Sequence, residues 1–154
     1  MKTTRGRIEK QCAVAAAHCA GNGLRRASRA ITQLYAKILA PSGLQPTQFS
    51  LLVACAVAGE VSMAALADAL AMDRTTLTRN LRPLERRRLV TVAEGEDRRV
   101  RKVTLTTLGR AILADALPLW NEAQARVIKA FGERRLSRTL QEVAALETLA
   151  REEE

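Results

Sequence analysis

Aromatic residues are nearly missing from this sequence: two Phe, one Tyr and one Trp make up 3% of its 154 residues. The interior must therefore be built from Ala, Leu and Val, a composition that favours helices. All four rings fall within apolar stripes, so the exposed stacking platform that an RNA or single-strand binder uses is also lacking. Histidine occurs once, at His18. With no GxSxG, HExxH, P-loop or dinucleotide fingerprint beside it, there is little acid-base machinery, and an enzyme is not expected. Three cysteines, Cys12, Cys19 and Cys55, lack CxxC spacing. They make no disulfide framework and, with one histidine, no zinc site, so neither metal nor cofactor is expected. No apolar run approaches the roughly 20 residues that span a bilayer, and the basic start lacks the apolar segment of a secretory signal. A cytoplasmic protein with no membrane partner is the expectation.

What the chain has in excess is positive charge: 25 Lys and Arg against 16 Asp and Glu, a net +9 with pI ≈ 10.5. A polyanion is the natural partner, because clustered cations gain free energy by displacing counterions from phosphates. The excess is concentrated. Between Arg74 and Arg110 lie 11 basic residues (Arg74, Arg79, Arg82, Arg86, Arg87, Arg88, Arg98, Arg99, Arg101, Lys102, Arg110) and 4 acidic ones (Glu85, Glu94, Glu96, Asp97), which gives 11 − 4 = +7. The length and the 47% hydrophobic content fit one folded domain.

Periodicity orders the elements. Ile8, Cys12, Ala15, Ala16 and Cys19 recur at helical spacing until Gly21-Asn22-Gly23, which should weaken or bend the element. Leu24, Ala27, Ile31, Leu34, Tyr35 and Ile38 form a second stripe that ends at Pro41-Ser42-Gly43. Pro46 opens a helix burying Phe49, Leu52, Val53 and Ala56, which Gly59 closes, and Cys55 falls in it as inert core. Ser62 caps a short helix through Leu70, and Asp73 caps the next, from about Arg74 to Arg88 with Leu77, Leu81 and Leu84 inward. Pro83 should bend it, so groove contacts are expected before that residue rather than after. Leu89 to Ala93 and Val100 to Leu105 read as a hairpin around the polar tip Glu94 to Arg99. Thr106 caps a long helix with the stripe Leu108, Ile112, Ala116, Leu119, Ala123 and Val127, tolerating Pro118 and stopped by Gly132. A last helix is expected from Ser137, with Leu140, Val143, Leu146 and Leu149 inward.

Two short helices joined by a three-residue turn, followed at once by a basic hairpin, can set one helix in a major groove and the hairpin beside a minor groove. Arg74, Thr75, Thr78, Arg79 and Arg82 lie away from the leucine face of the second helix, so guanidinium forks meet guanine edges while threonines meet phosphates or thymine methyls. In the hairpin tip, Asp97 steadies the turn and pairs with one arginine, leaving another of Arg98 and Arg99 to enter a narrow minor groove.

The stretches Asp73-Arg74-Thr75-Thr76-Leu77-Thr78-Arg79, Leu84-Glu85-Arg86-Arg87-Arg88-Leu89-Val90, Asp97-Arg98-Arg99 and Leu105-Thr106-Thr107-Leu108-Gly109 together resemble the multiple-antibiotic-resistance regulator (MarR) family, over nearly the whole chain from about Leu24 to Leu149. The resemblance implies a mainly α (α+β) winged helix-turn-helix fold: a DNA-binding lobe at 46–105 within a single chain of 1–154, and a helical dimerisation region at 8–40 and 107–151. It implies a homodimeric transcriptional regulator binding a pseudo-palindromic double-stranded operator, with Arg74, Thr75, Thr76, Thr78, Arg79 and Arg82 on the recognition helix. Arg99 matches the wing arginine that enters the minor groove, Asp97 the aspartate that orients it, and Arg98 lies between them. A repressor released by a small ligand or an oxidant is expected; the alternative is a basic architectural or RNA-binding protein without sequence preference. The effector expected from the resemblance is a small anionic or aromatic molecule, or an oxidant acting through Cys12 or Cys19. Cys19 lies about two residues before the family's reactive cysteine position, which Gly21 occupies here. Within one helix these two cysteines, seven residues apart, are about 10.5 Å apart, too far to bridge. Tyr35 and Trp120 are expected to pack between helices, and His18 to lie at the surface or in the dimer interface.

Overall fold

The computed structural model describes residues 2–95 and 100–152. Two helices lead the chain, α1 (Lys2–His18) and α2 (Ala20–Leu39), followed by a 3-10 turn at Ala40–Ser42. Next come α3 (Pro46–Ala58), β1 (Glu60–Ser62), α4 (Met63–Ala69) and α5 (Arg74–Arg86). The hairpin strands β2 (Val90–Glu94) and β3 (Arg101–Leu105) lead into the long helix α6 (Thr107–Phe131) and the last helix α7 (Glu133–Glu152). This is the mainly helical fold with a small antiparallel sheet that the sequence led us to expect. Among the described residues no helix is long and apolar enough to cross a membrane.

Three boundaries differ from the periodicity. The first helix breaks at Cys19, whose extended ψ of 108 interrupts an otherwise continuous ladder, and Gly21 to Gly23 fall inside the first turn of α2. The glycines sit where helical amides lack intrahelical acceptors, so they allow the new start rather than bend its middle. The last helix begins at Glu133, four residues before Ser137, because Gly132 at φ 91 turns the chain and a new helix follows at once. The third strand, β1, is too short to show alternation. It pairs antiparallel with β3, Val61 opposite Val103, and completes a sheet of order β1-β3-β2.

The core explains the rest. Its fully buried side chains are mostly leucines, Leu39, Leu44, Leu51, Leu52, Leu66, Leu77, Leu81, Leu84 and Leu89, and the whole cluster lies between Leu39 and Ala116. On α3 the buried residues are Phe49, Leu51, Leu52 and Cys55, while Val53 and Ala56 are only half-buried, because β3 and α5 as well as α6 press on that helix. The two larger aromatics tie outer helices to the long one. Trp120 of α6 stacks on Phe49 with centroids 6.4 Å apart, and the Tyr35 hydroxyl donates to Gln124 Oε1 at 2.5 Å. By contrast the terminal helices leave part of their apolar surface uncovered in a single chain: Ile8, Val14, Leu24, Ile31, Leu140, Leu146 and Leu149 are all exposed.

One junction fixes how the hairpin, the end of α5 and the start of α6 meet. The Thr106 hydroxyl accepts from the Gly109 amide at 2.9 Å, capping α6, and lies 2.7 Å from the Arg88 carbonyl oxygen to which it donates. The Thr106 amide donates to the Leu89 carbonyl at 3.1 Å. A Cβ at Gly109 would overlap that same carbonyl oxygen and come within 2.8 Å of Leu105 Cδ1. Only glycine lets the backbones approach so closely. Thr106→Ala should cost about 1 to 2 kcal/mol through the lost cap, and Gly109→Ala about 3 kcal/mol through forced separation of packed backbone. Urea unfolding at fixed protein concentration reads both, and a Gly109→Ala midpoint equal to wild type would refute the close approach.

Candidate nucleic-acid interface

The sequence builds a helix-turn-helix from two caps and two tight exits. Ser62 Oγ accepts from the Ala65 amide at 3.1 Å and starts α4. That helix ends on Ala71, left-handed at φ 49, with the Met72 amide returning to the Ala67 carbonyl at 2.9 Å. Asp73 then starts α5: its Oδ1 accepts from the Thr76 amide at 2.8 Å and its Oδ2 from the Thr76 hydroxyl at 2.6 Å. The exit repeats the first geometry with Arg88 at φ 57 and the Leu89 amide bonded to the Leu84 carbonyl at 2.9 Å. Both exits place a residue with a Cβ where glycine is usual, at a cost of about 1 kcal/mol each.

Leu77, Leu81 and Leu84 anchor α5 in the core, which turns the opposite face outward. Arg74, Thr75, Arg79 and Arg82 are exposed there and, with Thr78, border one shallow strip. Among the described residues the side chains of Arg74, Arg79 and Arg82 make no hydrogen bond or ion pair, whereas Arg5, Arg126 and Arg138 each pair with a glutamate one turn away. Two of the expected threonines are engaged locally. Thr76 is held by Asp73, and the Thr78 hydroxyl donates to the Arg74 carbonyl at 2.8 Å, so Thr78 presents its methyl more than its proton.

Not every basic residue of this segment faces outward free. Arg87 Nη1 donates to the Gly43 carbonyl at 2.8 Å, tying the end of α5 to the turn before α3, where Gly43 sits at φ 68. Lys102 pairs with Glu60 across β1 and β3 at 2.5 Å. The strands β2 and β3 carry the hairpin outward as far as Gly95, whose amide donates to the Val100 carbonyl at 2.7 Å. Asp97, Arg98 and Arg99 lie outside the described residues.

Arg101 is the basic residue that sequence patterning passes over. Alternation along β3 puts it on the face of Val103 and Leu105, both buried against the helices, yet it stands one step past the end of the core and is exposed. It lines a recess with Arg74 and Thr78 of α5. The signal was available: a cation in phase with buried residues at a strand end faces the same elements they do.

The cysteines separate by environment. Cys55 is fully buried, and burial pushes its thiol up to about 11, so it stays protonated and inert. Cys12 and Cys19 are exposed and unbridged, Cys12 within α1 and Cys19 at the break.

The sequence model of the MarR family matches residues 42–100. None of the curated proteins compared with the chain matches it. Among solved structures, the transcriptional regulator MosR of M. tuberculosis in complex with DNA is 39% identical, with 87% of this chain and 99% of that chain covered and a TM-score of 0.78. The transcriptional repressor CouR, bound to a 23-mer DNA duplex, is 28% identical over 83% of this chain and 92% of its own, with a TM-score of 0.75. A mutant of MarR from E. coli is 26% identical over 86% and 94%, with a TM-score of 0.63.

The cap of α5 carries a pH signature. The Thr76 hydroxyl, and next its amide, hold the Asp73 carboxyl below the usual carboxylate range. A depressed folded value means that the cap stabilises the protein fully above the unfolded pKa of about 3.9 and is lost as pH falls through the folded value. The stability gap between wild type and Asp73→Asn should therefore stay flat from about pH 5 to 8 and narrow only below about pH 4. A gap that changed between pH 6 and 8 in thermal melts would contradict this.

Proposed function

The chain belongs to the MarR family of transcriptional regulators, and from that premise we propose that it is a homodimer that reads a pseudo-palindromic operator and represses transcription by occupying it. The observation that carries the proposal is the α5 face: three guanidinium groups without partners among the described residues, held on a leucine-anchored helix next to a hairpin root. Unpaired Arg74, Arg79 and Arg82 are ready to pair with base edges and phosphates without breaking an existing ion pair. Thr75 adds an exposed hydroxyl and methyl, Thr78 a methyl, and Thr76 acts by holding the helix start. At the wing tip, Arg99 enters the minor groove with Asp97 orienting it and Arg98 beside it. The relatives MosR and CouR, each solved with DNA, support this assignment.

In this scheme residues 46–105 form the DNA-binding lobe and residues 8–40 and 107–151 the dimerisation region. The apolar side chains that α1, α2 and α7 leave exposed in one subunit, Ile8, Leu24, Ile31, Leu140, Leu146 and Leu149 among them, support it. Release from DNA comes from a small anionic or aromatic ligand or from an oxidant, with the exposed Cys12 and Cys19 as the candidate thiols.

Selection of bound sequences from a random duplex pool tests the proposal directly. A recovered palindrome with half-sites one helical turn apart is expected. Arg79→Ala and Arg82→Ala should then lose about 1 to 3 kcal/mol and relax base preference at one position each. A pool recovered without enrichment would overturn the proposal. Leu146→Asp, at an exposed stripe position of α7, should shift sedimentation toward a monomer and abolish operator binding at nanomolar concentration. A dimer that persists unchanged in that variant would remove α7 from the interface.

A further inference from the structure

We propose that Arg101 and Arg74 close on a single backbone phosphate of the bound duplex, in the recess between α5 and the root of the wing, and so set the register of the protein on its DNA. The inference rests on the DNA-binding function proposed above and adds to it a residue that the α5 face alone does not suggest.

The recess is a cavity of ≈ 330 Å3 shared by three elements: Ser62 and Met63 at the junction of β1 and α4, Arg74 and Thr78 on α5, and Val100 and Arg101 at the start of β3. Its position dictates what passes through it. A helix in a major groove and a wing in the flanking minor groove lie on opposite sides of one sugar-phosphate strand, because that strand is what separates the two grooves. The valley between α5 and β3 is therefore where that strand crosses the protein. Two guanidinium groups from different elements border the valley, both exposed and neither with an ion pair or hydrogen bond among the described residues.

The remaining walls fit the same ligand. Val100 is 38% exposed and Met63 half-buried, so apolar surface lies between the cations, as deoxyribose carbons require and a bare anion does not. Ser62 Oγ accepts from the Ala65 amide but donates to no group among the described residues, which leaves its proton for a phosphate oxygen. The Thr78 hydroxyl is spent on the Arg74 carbonyl, which leaves recognition to the arginines and the serine. Nearby, Glu60 neutralises Lys102, so Arg101 is the cation of β3 that stands available. Arg101 is thus a positioning residue: a phosphate carries no sequence information, but fixing one phosphate between two elements fixes where the α5 side chains meet the bases.

The test uses the full-length protein and the operator recovered by selection. Arg101→Ala should weaken binding about tenfold, across all operator variants alike, and reduce the slope of log K against log salt by about one unit per subunit. Single methylphosphonate substitutions placed along each strand should then identify one position per half-site where wild type loses clearly more affinity than Arg101→Ala, whose smaller loss there reports the contact that Arg74 still makes. This measurement alters the DNA rather than the protein, so it holds even if the variant is less stable. An unchanged salt slope, or equal methylphosphonate losses in both proteins at every position, would overturn the proposal while leaving operator recognition standing. Failure to recover any operator would instead overturn the function itself. Arg101-dependent binding of inorganic phosphate by the DNA-free protein, without any effect of methylphosphonates, would assign the recess to a soluble anion and also overturn it.

Discussion

The contact between Gly109 and the Leu89 carbonyl is the constraint on which the working geometry depends. The end of α5, the root of the hairpin and the start of α6 converge within two residues of it, and Thr106 stitches all three with one hydroxyl and one amide. Because backbone approaches backbone there, the angle between α5 and the long helix is set by main-chain atoms, which do not change rotamer. A second tie, from Arg87 to Gly43, holds the same end of α5 to the turn beyond α2. Two points of attachment fix the end of α5 against both its neighbours.

Electrostatics and packing divide the molecule along the same line. A leucine core seals every large apolar side chain of α5 and leaves its cations outward, while the terminal helices keep apolar side chains exposed. Lys102 and Arg87, taken up by Glu60 and Gly43, show that the segment's +7 overstates what reaches a duplex.

Sequence periodicity showed most of the fold. Caps at Ser62, Asp73 and Thr106 are local chemistry, a side-chain oxygen three residues before an amide, and all three bonds are present. The leucine stripe of α5 and the alternating hairpin were equally plain. What was hidden needed distant partners. The three residues of β1 become a strand only because β3 lies beside them. The left-handed exits at Ala71 and Arg88 carry no glycine to announce them. On α3, Leu51 is buried because several elements surround that helix, which a one-sided stripe does not anticipate. At the site, the arginines of α5 were legible from spacing; Arg101 was not singled out, because the recess it lines is formed with another helix.

Trp120 is the single tryptophan of the chain, and its ring lies flat against Phe49 where the long helix meets the reading lobe. The molecule thus carries one built-in optical reporter at the seam between α3 and α6. Any shift of α3 against α6 changes that stacking and hence the emission of one identified indole, so movement at this seam is observable in unlabelled protein.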